Sequence, residues 1–378
     1  MGREVLTSKS DTALVKPAQF LHRELPVRMT QSVALLDAVL PQTVSERARP
    51  SVLDSVAQQY VRDIQMLAET PLPTSVARAG AFTDTLRTLR ERHRHSMLAL
   101  SQGMQELSSL SRAEQQARRT QQLLNRFFSA HLGTHMLIGD HLALRDHGRT
   151  LVDVLRPYDV AQQAIQDARQ ACSIFFGRDA PEVRFVAPEP AVETTFITEH
   201  LRRIIYEMVT FALRSTVERH AAATHLPAIR VVMVNGDEDV IFKVSDEAGG
   251  TPARHVERLW WYTADDVVRA HASTVSAAAT GSTTSELRSL CPFAMPTAEL
   301  ASMPGFGFGR GLPAARLAAR YFGGDLDLIS MEGHGTDLYF HLARADTQLE
   351  NFPPSADVAD AVDRNHWVIP PPALEAEA

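Results

Sequence analysis

Residues 305–322 read GFGFGRGLPAARLAARYF, an alternation of glycines that runs into Leu312-Pro313 and a helix-forming stretch. Glycines let a backbone come close to a ligand. A helix that starts there offers free N–H groups and the positive end of its dipole to a phosphate. Alone, Gly307-x-Gly309-x-Gly311 is an ordinary loop. Its neighbours give it meaning. Downstream, DLDLIS (325–330) and TDLYFHLAR (336–344) alternate as strands, joined by Met331-Glu332-Gly333-His334-Gly335. Upstream lies ASTVSAAATGSTTS (272–285), of low complexity and read as a loop.

Further upstream, AIRVVMVNGDEDVIFKVSD (228–246) reads as a hairpin turning at Asn235-Gly236-Asp237-Glu238. It ends in Ser245-Asp246-Glu247-Ala248-Gly249-Gly250, which sets an acceptor at a strand end beside small residues. Before it comes a strong helix, LRRIIYEMVTFALRSTVERHA (201–221), and before that a strand, EVRFVA (182–187). The helix carries Glu207 on a face otherwise built from Ile204, Met208, Phe211 and Leu213. A carboxylate in apolar company is either solvated at an edge or placed for chemistry.

From about residue 18 to 175 the texture is different. Long amphipathic runs are separated by short Pro or Ser breaks. Leu25, Met29, Val33, Leu36 and Val39 make one stripe, ended by Pro41. Ser51 opens a second helix with Val52, Leu53, Val56, Tyr60, Ile64 and Leu67, closed by Pro71 and Pro73. Helices over about 76–107 and 112–143 follow, the third with Leu86, Leu89 and His93 on one side. Four such helices suit a four-helix bundle.

The composition excludes several classes. The chain has 378 residues, enough for about two domains, and 44% of them are hydrophobic. A net charge of −7 argues against nucleic-acid binding through a basic surface. Two cysteines, Cys172 and Cys291, form no disulfide framework and no cysteine zinc cluster. No apolar run is long enough for a membrane span. The first 17 residues lack a signal-peptide core and read as a tail, with no evident presequence.

Helix with Glu, then Asp-x-Ala-Gly-Gly, then a long loop, then GxGxG before a helix, then Gly-Thr-Asp in a strand: this is the order of the Bergerat (GHKL-type) ATP-binding fold. The chain resembles the mitochondrial 2-oxoacid dehydrogenase kinases, meaning the pyruvate and branched-chain dehydrogenase kinases. The stretches that carry the resemblance include FLHRELPVRM (20–29), RHRHSMLALSQG (92–103), LLNRFFSAHLGTHML (123–137), YEMVTFALRSTVE (206–218), KVSDEAGGTP (243–252) and GFGRGLPAARLAARYFGGDLDLISMEGHGTDLYFHL (307–342). The fold implied is α and α+β. A tail (1–17) precedes a four-helix bundle (18–177) that docks lipoyl domains. An ATP-binding α/β sandwich (178–345) follows, with a lid at 262–304, and then a C-terminal tail (346–378) in which Trp367 is an anchor.

The activity implied is ATP-dependent phosphorylation of a serine on the dehydrogenase component of a pyruvate or branched-chain complex in the mitochondrial matrix, by a homodimer. Implied partners are that component and the lipoyl domain of the acyltransferase core, with no nucleic acid. By position, Asp246 resembles the residue that binds the adenine amino group and Thr336 its neighbour. Gly250, Gly307, Gly309, Gly311 and Leu312 resemble the glycine turns around ATP, and Arg214 the end of the nucleotide-facing helix. Glu207 resembles the carboxylate that orients or deprotonates the serine, and His93 a histidine that reaches toward it.

The departures bear on the metal. The family's Mg²⁺-binding Asn is Phe211 here, which has no oxygen for a hard cation, so no residue is assigned as a metal ligand. The Lys before it is Thr210, the His four residues before the Glu is Arg203, and the first glycine of the Asp turn is Ala248. Asp265-Asp266 stand in the lid. A pseudokinase that acts by docking is therefore the alternative to a working kinase.

Overall fold

The computed structural model describes residues 14–39, 51–110, 114–262 and 311–344. The expected glycines Gly307 and Gly309, nearly all of the lid, Asp265-Asp266 and Trp367 lie outside the described residues. The chain divides into two compact units. The first takes the residues up to Leu100 and Arg118–Thr150, and the second takes Ser101–Ala117 and the chain from Leu151.

The first unit is built on α1 (Val15–Val39), α2 (Ser51–Glu69) and most of the long helices α3 (Val76–Leu110) and α4 (Glu114–His147). Their buried stripes follow the helical repeat. Leu21, Leu25, Met29 and Leu36 face inward from α1, and Leu53, Val56, Tyr60, Ile64 and Leu67 from α2. In α1 it is Ser32 rather than Val33 that is buried; its hydroxyl donates to the Arg28 carbonyl, 3.0 Å away, which offsets the cost of burying it.

The middle of this unit is unusually polar. His93 of α3 and His131 and His135 of α4 are buried together, stacked about Tyr60 and Phe127. Burial pushes the pKa of His131 and of His135 well below the usual histidine value, so both rings are neutral at ordinary pH.

The second unit contains β1 (Asp153–Leu155), α5 (Pro157–Phe176), β2 (Val183–Val186), β3 (Thr194–Phe196), α6 (Thr198–Arg219), β4 (Ile229–Asn235) and β5 (Asp239–Asp246). A short helix α7 (Ala253–Val256), then α8 (Leu312–Tyr321), β6 (Asp325–Met331) and β7 (Gly335–Ala343) complete it. The main sheet runs β2-β4-β5-β7-β6, with β2 parallel to β4 and the other pairs antiparallel.

Side-chain alternation gives the sheet one buried face: Val240, Phe242 and Val244 of β5 beside Leu338, Phe340 and Leu342 of β7. α6 lies against β5 and α8 against β6. The expected hairpin is present, its turn closed by Gly236 N donating to the Asp239 carbonyl at 2.9 Å. An α/β unit with a mixed sheet thus follows a helical unit.

One boundary differs from the sequence reading. The stretch 157–176 was grouped with the bundle, but α5 packs on α6 and belongs to the second unit. Pro157 fixes its start, and Gly177 ends it at φ 62 in the left-handed region. Arg202 of α6 reaches Asp167 of α5 at 2.6 Å, which ties the two helices together. Among the described residues no helix is long and apolar enough to cross a membrane.

Candidate functional site

Asp246 is the last residue of β5 and lies opposite Thr336 of β7 in register. Its side chain falls on the buried face, leaving the residue 5% exposed. Oδ1 accepts backbone N–H bonds from Ala248 at 2.9 Å and from Thr336 at 3.2 Å. Both described bonds end on one oxygen, which fixes the carboxyl group and leaves Oδ2 without a described hydrogen bond. Burial raises its pKa to about 6, against the lowering effect of those two bonds.

The glycines around Asp246 are there for close approach. A Cβ on Gly335 would stand 1.9 Å from the Asp246 carbonyl oxygen. Gly250 has φ +67, and a Cβ there would stand 2.4 Å from the Met331 carbonyl. Gly249 donates to the His334 carbonyl at 3.1 Å, and Gly333 donates back to Gly249 at 2.8 Å. The Asp-x-Ala-Gly-Gly turn and the β6–β7 turn are therefore one packed body. It presents a buried carboxyl oxygen.

The second half of the site is on α6. Glu207 is 7% exposed and its Oε1 is in contact with Arg203 one turn earlier. Burial raises the pKa of Glu207, and the Arg203 guanidinium works against that rise. Oε2 faces the start of α8: a Cβ on Gly311 would be 3.9 Å from it. Gly311 takes φ 58 and precedes Leu312, which is buried, and Pro313 in the first turn. So the carboxylate and the described end of the glycine turn do come together.

Several buried polar atoms on the same helix have no described hydrogen-bond partner, among them Nη1 of Arg203, Oγ1 of Thr210 and Oγ1 of Thr216. Phe211 is half-buried beside them in sequence. An aromatic ring does not coordinate a cation that demands oxygen ligands, so the residues at this position do not fit Mg²⁺.

The remaining expected residues divide. Arg214 is engaged by Glu218 at 2.8 Å, an i,i+4 pair on α6. His93 is fully buried in the first unit. Its described partners, Tyr60, Asp63, His131 and His135, all belong to that unit. The sequence reading missed the Arg203–Glu207 pair. The signal was present in the i,i+4 spacing of opposite charges.

Known proteins are similar to both parts of the chain. Residues 4–167 match a family model described as mitochondrial branched-chain alpha-ketoacid dehydrogenase kinase. Residues 197–346 match one described as histidine kinase-, DNA gyrase B- and HSP90-like ATPase. A mitochondrial [pyruvate dehydrogenase (acetyl-transferring)] kinase of Arabidopsis thaliana is 31% identical over 90% of this chain and 88% of its own length. One of Schizosaccharomyces pombe is 33% identical over 70% of this chain and 59% of its own length. Isozyme 4 of Homo sapiens is 28% identical, over 88% of this chain and 78% of its own length.

Proposed function

Since the chain belongs to the mitochondrial pyruvate dehydrogenase kinase family, we propose that it is an ATP-binding regulator of a 2-oxoacid dehydrogenase complex in the mitochondrial matrix. It is built as a serine kinase of the dehydrogenase component, with a strongly slowed transfer step. The observation that carries this reading is the contrast within one site. The adenine end, at Asp246 and Thr336, is fully formed, whereas the phosphate end has Phe211 at the metal position and Arg203 on the catalytic carboxylate.

In this reading Asp246 Oδ2 accepts the adenine amino group, and Thr336 sits beside it. Gly250 and the Gly307-Gly309-Gly311-Leu312 turn lie along the phosphates, with Arg214 at the end of the helix. Transfer to a serine needs Glu207 to take the hydroxyl proton as the oxygen bonds to the γ-phosphorus and ADP leaves. The Arg203 guanidinium lowers the carboxylate's affinity for that proton, against the raising effect of burial. ATP supplies the phosphoryl group; Mg²⁺ has no ligand at the family position. The helical unit is assigned to lipoyl-domain docking. The face of the sheet away from α6, with Val234 and Ile329 exposed, is assigned to pairing with a second copy.

A working kinase is the second reading, and one observation favours it. Arg203 Nη1 is a buried cationic nitrogen without a hydrogen-bond partner, close to Glu207, and so able to neutralise a phosphate in place of metal. In that case the dehydrogenase component gains label from ATP without added Mg²⁺.

The adenine assignment has a pH signature. An ionised Asp246 accepts the amino group, and its pKa is about 6. Affinity for adenosine is therefore full above that value and is lost as pH falls through it, by roughly tenfold per pH unit below the pKa. Adenosine is the probe because it has no phosphate to titrate. Calorimetric titration between pH 5 and 8 checks this; an affinity flat across that range contradicts the assignment.

A further inference from the structure

The buried histidine cluster of the first unit has the composition of a metal centre. His131 and His135 stand one turn apart on α4 and so project from the same face. His93 meets them from α3. One ligand nitrogen from each of the three rings lies within 4.8 Å of the others. His93 Nδ1 and His135 Nε2 face each other at hydrogen-bond distance, 2.8 Å, with a proton between the two nitrogens.

The atoms behind the rings are those that orient metal-bound imidazoles. Asp63 of α2, its side chain fully buried, sets Oδ2 3.2 Å from His93 Nε2, close but not aligned as a hydrogen bond. Asp63 is itself held by Gln59 at 3.0 Å and by Arg92 at 2.9 Å. Tyr60 OH is 2.7 Å from His131 Nδ1, so the opposite nitrogen of that ring is left to point elsewhere. A carboxylate behind one imidazole and a hydroxyl behind another are what fix ring orientation and tautomer in protein metal sites.

We propose that His93 through Nδ1, His131 through Nε2 and His135 through Nε2 bind a first-row divalent transition metal ion such as Zn²⁺ in the core of the helical unit, with Asp63 and Tyr60 positioning the rings. Zinc–imidazole bonds of about 2.0–2.1 Å place tetrahedral ligand nitrogens roughly 3.4 Å apart. The facing pair at 2.8 Å therefore opens by about half an ångström, and the ion takes the place of the shared proton. Three imidazoles leave a fourth position for water or a small ligand. Three imidazoles and one carboxylate suit Zn²⁺ or a neighbouring ion rather than Mg²⁺ or Ca²⁺, which prefer oxygen. The three rings are buried, so exchange of the ion is slow.

The test uses the full chain, stripped with a chelator and titrated with Zn²⁺ against a chromophoric competitor. The expected result is one tight equivalent per chain. The His131→Gln/His135→Gln double variant should lose at least about 100-fold in affinity, and Asp63→Asn about 10- to 100-fold. In case the double variant does not fold, Co²⁺ is added to the unsubstituted apo chain. Intense visible absorption of a four- or five-coordinate ion supports the site, and the weak spectrum of a six-coordinate ion overturns it. No tight equivalent, or Zn²⁺ binding undiminished in a folded double variant, also overturns the proposal and leaves the cluster as a hydrogen-bonded core network.

Discussion

Changing Arg203→His together with Phe211→Asn raises the rate of Mg²⁺-dependent phosphoryl transfer to the dehydrogenase component by at least ~10²-fold. The argument is electrostatic. The first change removes the guanidinium that contacts Glu207 Oε1, and so returns the carboxylate to service as a proton acceptor. The second provides an amide oxygen at the position where the family binds Mg²⁺. A positioned base contributes typically ~10²–10⁴ to a rate. A single preorganised electrostatic contact contributes ~10²–10³. The two changes act on one transition state, so their effects are not expected to add, and the lower figure is the conservative one. The measurement is initial-rate transfer of labelled phosphate, with nucleotide binding checked in parallel. A folded, ATP-binding double variant with no gain in rate would show that these positions do not limit transfer.

Asp246→Asn weakens ATP binding by about 10- to 100-fold with little change in stability. The amide keeps an oxygen to accept from Ala248 N and Thr336 N, so the turn stays closed. Its NH₂ replaces the oxygen assigned to the adenine amino group, and two donors then face each other. Loss of a hydrogen bond to a charged group is worth about 1.5–3 kcal/mol, which is that range of affinity. Asp246→Ala is a different experiment: it strands two buried N–H groups at about 1–3 kcal/mol each, and its loss of binding would be confounded with unfolding. Calorimetry with thermal denaturation on the Asn variant separates the two. Undiminished ATP affinity would remove Asp246 from the site.

Much of this was legible in the sequence. The stripes of α1 and α2 and the alternation in β5 and β7 come from one-sided burial, which leaves a direct imprint on residue order. The Asn235-Gly236 turn was legible because that dipeptide between β-branched runs is a hairpin signature, and a Cβ on Gly236 would stand 3.0 Å from the Asp239 carbonyl oxygen. The three-residue strands β1 and β3 were not, since so short a segment carries no periodicity. The placement of α5 was missed because an amphipathic pattern shows that a helix has a partner and not which one. Within the site, Asp246 was visible as a carboxylate at a strand end and Glu207 as one on an apolar helix face, while the roles proposed for them come from the family resemblance.

The functional consequence of Arg203 was missed because a substitution was read as the loss of a histidine rather than the gain of an ion pair. The histidine cluster was hidden for a geometric reason. His131 and His135 advertise a shared face, but their approach to His93, Tyr60 and Asp63 depends on how three helices pack.

The central claim is a divided site, with the adenine end intact and the phosphate end without its metal. It is tested most directly by titrating the unsubstituted chain with ATP at zero and saturating Mg²⁺, then adding the dehydrogenase complex with labelled ATP. The account predicts ATP binding whose affinity changes less than about tenfold with Mg²⁺, and little or no label on the dehydrogenase component. Binding that requires Mg²⁺, followed by rapid labelling of the dehydrogenase, would contradict it.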